Sequence, residues 1–181
     1  MGNITVHEFM TLDAIVDTPT WTAGYGFDPR MGEAIGAMMG SCEGLLLGRK
    51  TFEMFAATWP NRSAEDDPGA SFFNDSPKYV VSGSAESFEW SNSHPLGPYD
   101  PAEIRSLKER TEGNLYVSGS VTLVRALLAD GLVDELHLFV YPLALGAGKK
   151  IFAEGTTTKL ELSSAENYDG GIVHLVYGPA S

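Results

Sequence analysis

Residues 44–60, GLLLGRKTFEMFAATWP, constrain the fold more than any other stretch of the chain. Leu45 to Leu47 form a continuous apolar run, which reads as a strand buried on both faces. The chain then turns at Gly48, exposes Arg49, Lys50 and Thr51, and takes up helical spacing through Phe52, Met54, Phe55 and Ala56 until Pro60 closes the unit. A strand that passes through a glycine into a helix belongs in a parallel sheet. The helix start also sets unpaired amides beside two cations and a hydroxyl, which is the chemistry of an anion site. A solvated arginine at an ordinary βα turn is the plainer alternative.

The same alternation extends in both directions. ITVHEFM (residues 4–10) reads as a strand with His7 inside it, and Asp28–Pro29 supply the N-cap and first position of a helix. That helix carries Met31, Ile35, Met38, Met39 and Cys42 on one face. KYVV (78–81) predicts a second buried strand that runs into Ser82–Gly83–Ser84. Asp100–Pro101 repeats the capping signature and opens a helix to about Arg110. A third strand, Leu115 to Val117, ends in Ser118–Gly119–Ser120. The next helix carries Val121, Val124, Leu127 and Leu128 on one face and ends at Gly131. DELHLFVY (134–141) alternates as a strand, and its apolar character on both sides argues for association with another chain. Lys159–Ser164 and Ile172–Tyr177 flank Asp169–Gly170–Gly171 as an antiparallel hairpin. Residues 11–26, 61–76 and 85–100 read as loops, the first long enough to act as a lid or binding loop.

This order predicts one α/β domain over residues 1–181, with a mixed, mostly parallel sheet and helices on both faces. Ligands of such sheets bind at the carboxyl ends of the parallel strands. Three of those ends carry GRKT, SGS and SGS, and they converge on one elongated ligand bearing phosphates.

Charge and composition narrow the partners. A net charge of −12 argues against nonspecific nucleic-acid or acidic-membrane binding. Cys42 is the single cysteine, so neither an intrachain disulfide nor a cysteine zinc site can form, and core filling is its expected role. The first residues form a strand without a leader pattern, no apolar run spans a bilayer, and a cytoplasmic location follows as the expectation. His7, His94, His137 and His174 lack metal-ligand spacing. LGAGKK (145–150) lacks the spaced first glycine and the Ser/Thr of a phosphate loop, and neither G-x-G-x-x-G nor G-x-S-x-G occurs. Of the carboxylates, Asp13 and Asp17 sit on the long loop and Asp28 and Glu33 at the first helix, any of them able to hold a ring nitrogen and its amino group. For Asp28, helix capping is the simpler role.

GLLLGRKTFE resembles the GRxT strand–helix junction of dihydrofolate reductases. LYVSGSVTLVRALLADGLVDELHLFVYPLALGAGKKIF resembles the C-terminal reductase domain of the bifunctional riboflavin-biosynthesis deaminase/reductase. The ordered set MTLDAIV, LLLGRKTFE, Trp59–Pro60, KYVVSGS, VSGSVTLV and DEL…P…LGAGKKIF is similar to the stand-alone dihydrofolate-reductase-like bacterial proteins of that family, over about residues 3–178. The resemblance implies a three-layer αβα fold, NADPH as hydride donor and a homodimer. It matches Gly48, Arg49, Lys50 and Thr51 to the cofactor loop, with Arg49 at the 2′-phosphate and Lys50 and Thr51 nearer the pyrophosphate. Ser82, Gly83 and Ser84 match the loop on the adenosine side, and Gly119, Ser120, Val121, Thr122 and Leu123 match the turn under the pyrophosphate. Ser118 takes the first place of the Gly-Gly pair of dihydrofolate reductases, Ala14 stands for the glycine after Leu-Asp, and no residue matches the helix carboxylate that holds a pterin. The implied activity is NADPH-dependent reduction of a small heterocycle, either dihydrofolate-like or a phosphoribosylamino-uracil; from their place on the long loop, Asp13 and Trp21 are the candidates for the substrate side. A nucleotide-binding or regulatory module of the same fold, without turnover, is the alternative.

Overall fold

The computed structural model of the chain describes residues 1–84 and 88–180. At its centre β1 (Ile4–Thr11) sends Ile4, Val6 and Met10 into one core cluster and Phe9 towards another, as the pleat of a strand requires. Its two neighbours, β5 (Asn114–Ser118) and β6 (Glu135–Tyr141), are both parallel to it. The apolar run at Leu45–Leu47 lies in β2 (Cys42–Gly48), which pairs with β5 and with β3 (Lys78–Val81). One edge ends in β4 (Ser93–Gly97), and the other is extended by β8 (Val173–Pro179) and β7 (Leu160–Asn167). The order is β4-β3-β2-β5-β1-β6-β8-β7, and β8 runs antiparallel to both of its neighbours. The mixed sheet with a terminal hairpin is the one the sequence pattern predicts.

Helices cover both faces. Met31 and Met38 of α1 (Pro29–Gly40), Phe52 of α2 (Arg49–Thr58) and Phe73 of α3 (Ala70–Asp75) share a core with Leu45, Leu47, Tyr116 and Phe139. On the opposite face, Ile104 and Leu107 of α4 (Pro101–Arg110) and Val124 and Leu127 of α5 (Val121–Ala129) share one with Ile4, Val6, Leu115 and Leu136. Crossovers to β2 and to β6 therefore leave on opposite faces. That divergence opens a crevice at the carboxyl ends of β1, β5 and β2. The expected caps are present: the Asp28 and Asp100 carboxylates accept the amides of Arg30 and Ala102. Gly131 follows α5 at φ 63°, and the Leu132 amide bonds the Leu127 carbonyl behind it.

Several expectations are corrected. Residues 61–76 contain α3, because the adjacent Phe72 and Phe73 supply buried surface: Phe73 stacks on Trp59 with centroids 4.0 Å apart, and Asn74 donates to the Trp59 carbonyl. Residues 85–100 contain β4, whose Pro95 sits opposite Val80. Proline is tolerated there because the strand is an edge and its missing donor costs no ladder bond on the open side. Cys42 begins β2 instead of ending α1, which closes two residues earlier at Gly40, where the following Ser41 hydroxyl bonds the Met38 carbonyl. The 134–141 strand is not exposed: β6 lies between β1 and β8, which removes the argument for association drawn from its apolar faces. The long 11–26 connection is partly ordered by an Ile15–Lys150 bridge and a 3₁₀ helix, Pro19–Tyr25.

Candidate functional site

The crevice is a cleft of about 830 Å³ whose floor is knitted from two strand-to-helix turns. At the first, Gly48 precedes α2 and offers no side-chain cap, leaving the first-turn amides free of one. At the second, Gly119 adopts φ 71° and α5 starts after Ser120, which caps nothing because its Oγ accepts the Gly48 amide at 3.0 Å. A Cβ on Gly119 would stand 3.5 Å from Thr51 Cγ2, so the two turns meet closely. Both helix N-termini thus present partial positive charge at one place, next to Arg49 and Lys50. Arg49 rests on Glu53 at 2.8 Å, a half-exposed pairing that a competing anion can displace.

The residues expected in the two turns, Gly48 to Thr51 and Gly119 to Leu123, all line this cleft. Ser82 to Ser84 do not; they lie past β3, the strand beside β2, and Val81 is the lining residue there. Their local order is turn chemistry, with the Ser84 amide donating to Ser82 Oγ.

Asp13 and Trp21, expected on the substrate side, do not line the cleft. The Asp13 carboxylate accepts the Thr11 hydroxyl at 2.6 Å and the amides of Gly146 and Leu145 at 2.7 and 3.2 Å. Those bonds, the Thr11 hydroxyl first, hold its pKa down at about 2 and fasten the loop to residues 143–151. Trp21 packs edge-on against Tyr141 at 5.2 Å, and its buried Nε1 has no hydrogen-bond partner among the described residues. The loop meets the cleft instead through Val16, Asp17, Thr18 and Pro19. Asp17 accepts the amide of Lys149, whose side chain also borders the cleft. LGAGKK is therefore a packing segment: a Cβ on Gly148 would stand 2.6 Å from Ile15 Cγ2.

Glu8 is the group that sequence reasoning missed. The residue is 3% exposed and borders the cleft, and its carboxyl accepts the Gly119 amide at 2.8 Å through Oε1. Its Oε2 has no hydrogen-bond partner among the described residues. Burial outweighs the Gly119 bond and pushes its pKa up to about 8. Beside it, Tyr116 is held by His7 Nδ1 at 2.6 Å. A signal was available: Glu8 falls on the alternate positions Ile4, Val6 and Met10, an acid on an apolar face. Among the described residues no group of three His, Cys, Asp or Glu side chains is arranged to hold a metal ion, and no helix is long and apolar enough to cross a membrane.

The profile of the RibD C-terminal domain matches residues 3–94 and 100–174. The chain belongs to the RibD C-terminal domain family. An uncharacterised Bacillus subtilis protein, YyaP, is 24% identical and aligns over 93% of this chain and 90% of its own length. A Shewanella sp. PV-4 protein assigned to riboflavin biosynthesis superposes with a TM-score of 0.78, at 20% identity, over the full length of both chains. A dihydrofolate reductase from Enterococcus faecalis, solved with NADP(H), superposes with a TM-score of 0.65 at 14% identity, over 99% of this chain and 98% of that one. The fold is thus dihydrofolate-reductase-like. In this RibD-type domain Ala14 adopts φ 66°, a left-handed backbone that glycine takes without strain.

Proposed function

We propose that this RibD-type domain is a reductase that takes hydride from NADPH and delivers it to a small heterocycle. The observation that carries the reading is the meeting of the two turns, where uncapped helix starts, Gly119 and the Arg49–Lys50 pair face one cleft. These residues fit a dinucleotide. Backbone amides and Lys50 suit a pyrophosphate, and the Arg49 guanidinium suits a 2′-phosphate once it leaves Glu53. Bound there, NADPH supplies the hydride.

The chain's own residues do the rest. Gly119 keeps the cleft floor low, and Phe55, Met54 and Phe27 make its wall apolar. Reduction of a ring C=N bond requires a proton on nitrogen, and Glu8 holds one at neutral pH with Oε2 free of protein partners. Asp13, whose hydrogen bonds hold its pKa down at about 2, is not held in that neutral state.

The test is NADPH oxidation by the purified protein across pterins, pyrimidines and quinones. Turnover supports the reading; saturable NADPH binding without oxidation by any of them supports a binding module instead. Replacing Arg49 by Ala should weaken NADPH by about tenfold or more and leave NADH nearly unchanged. Equal losses for both would remove the 2′-phosphate role.

A further inference from the structure

Among the described residues, four buried side-chain atoms have no hydrogen-bond partner: Thr5 Oγ1, His7 Nε2, Trp21 Nε1 and Ser93 Oγ. Of those four residues only His7 borders the cleft. It precedes Glu8 on β1, so its ring leaves the opposite face of the strand. There it stands nearly at right angles to Phe9 and Phe139, with ring centroids 4.8 and 5.2 Å away. Its Nδ1 lies 2.6 Å from the Tyr116 hydroxyl. Tyr116 is 2% exposed and borders the cleft as well.

A count of protons shows that this pair has one donor to spare. Burial, reinforced by His137 and His174, holds the His7 pKa down at about 3, and burial raises that of the Tyr116 phenol. Both groups are therefore uncharged at neutral pH. A neutral imidazole and a phenol carry one exchangeable proton each, and the single contact between them uses one. Ser118, which also borders the cleft, is the other hydroxyl near the phenol; it adds one proton and at most one contact, so a donor is still left over. Placed on His7 Nε2, the spare proton would be sealed from both acceptor and water, which is costly. With the imidazole proton on Nδ1 instead, His7 donates to the phenol oxygen and the phenol O–H can turn to the cleft. His7 is the only hydrogen-bond partner of the Tyr116 hydroxyl among the described residues, so no protein acceptor takes up that proton.

We propose that Tyr116 recognises the substrate by donating its hydroxyl to a carbonyl oxygen of the heterocycle, and that His7 is a positioning residue that holds the phenol as a donor through Nδ1–H. This names the group of the substrate that the same cleft reads, and it rests on the reductase reading. The protonated Glu8 carboxyl offers a second donor from the other face of β1. A ligand that brings acceptors to both places leaves no buried donor unpaired, whereas one lacking the carbonyl strands the phenol proton.

The test titrates quinazolin-4-one and quinazoline, flat rings that differ by one carbonyl, by calorimetry against the protein alone and saturated with NADP⁺. Quinazolin-4-one should bind about tenfold or more tightly than quinazoline. Tyr116→Phe keeps the ring that packs edge-on against Phe72 and Phe73, and should abolish this preference while leaving quinazoline affinity unchanged. Nitrogen-15 spectra of histidine-labelled protein test the part played by His7: in the quinazolin-4-one complex its proton should sit on Nδ1, a signature that a merely structural histidine would not show. Equal affinity for the two compounds, binding of neither, a preference that survives Tyr116→Phe, or a proton on Nε2 in the complex overturns the proposal. A Tyr116-dependent preference in a protein that does not bind NADPH supports the recognition role and overturns the reductase reading alone.

Discussion

Burial of the Glu8 carboxyl against the Gly119 amide lifts its pKa from an ordinary 4.5 to about 8, and two consequences follow at the scale of that residue. As a proton donor it is competent below that value, so kcat/KM should fall as pH rises through about 8. Glu8→Gln should lower turnover by ~10²-fold and flatten that limb while NADPH still binds, read from pH profiles of NADPH oxidation. A variant with parental turnover and an unchanged profile would remove the role. For stability the sign is opposite to that of a paired carboxylate. Between pH 4.5 and 8 the unfolded chain sheds a proton that the folded chain keeps, so stability falls with rising pH, by up to about 1.4 kcal/mol per unit. Denaturant titrations at pH 8 should therefore find Glu8→Gln more stable than the parent. Ala14, at φ 66°, gives a further prediction: Ala14→Gly should stabilise by about 1 kcal/mol, and a loss of stability would show that no strain is held there. Residue roles were the least legible part of the sequence. Asp13 and Asp17 look alike on one loop, and only the 143–151 segment, distant in sequence, reveals that Asp13 is consumed by two amides while Asp17 borders the cleft.

Among elements, the two strand–turn–helix units carry the site, and they were legible because each step is local. Three leucines make the strand, glycine makes the turn, and the following spacing makes the helix. Gly119→Val should cost ~2 kcal/mol in denaturant unfolding, because a branched side chain is strained at φ 71°, and should weaken NADPH at the same time. Parental stability and affinity would show that the turn tolerates a side chain. Elements whose existence depends on distant partners were not legible. α3 is six residues long and is held by Trp59 and Trp90 through Phe73 and Asn74, none of which its own periodicity announces. β4 contains a proline and reads as a loop until β3 is seen beside it.

For the whole molecule, the parallel sheet and its hairpin followed from the order of elements. The assignment of helices to faces placed the cleft where β1, β5 and β2 end. The molecule also buries three histidines together. His7 meets Tyr116, His137 Nδ1 meets His174 Nε2 at 3.0 Å, and His174 stacks on Phe139. Burial, reinforced by their mutual repulsion, holds His7 and His174 down at about 3 and 4. Glu135 and Glu166, which face His137 and His174, only partly offset this. Below pH 6.5 the unfolded chain binds protons that these folded histidines refuse, so stability is complete above that value and is lost as pH falls towards 4. Combined with the opposite slope from Glu8, denaturant unfolding should show a maximum at about pH 6.5, and His174→Gln should flatten the acid side. A stability that climbs steadily to pH 9 would contradict the Glu8 assignment, and one that keeps rising as pH falls below 6 would contradict the histidines. The most direct test of the account is a calorimetric titration of the purified protein with NADPH and with NADH. Tight binding of NADPH and weak binding of NADH is the predicted result; binding of neither would leave the fold without the reductase.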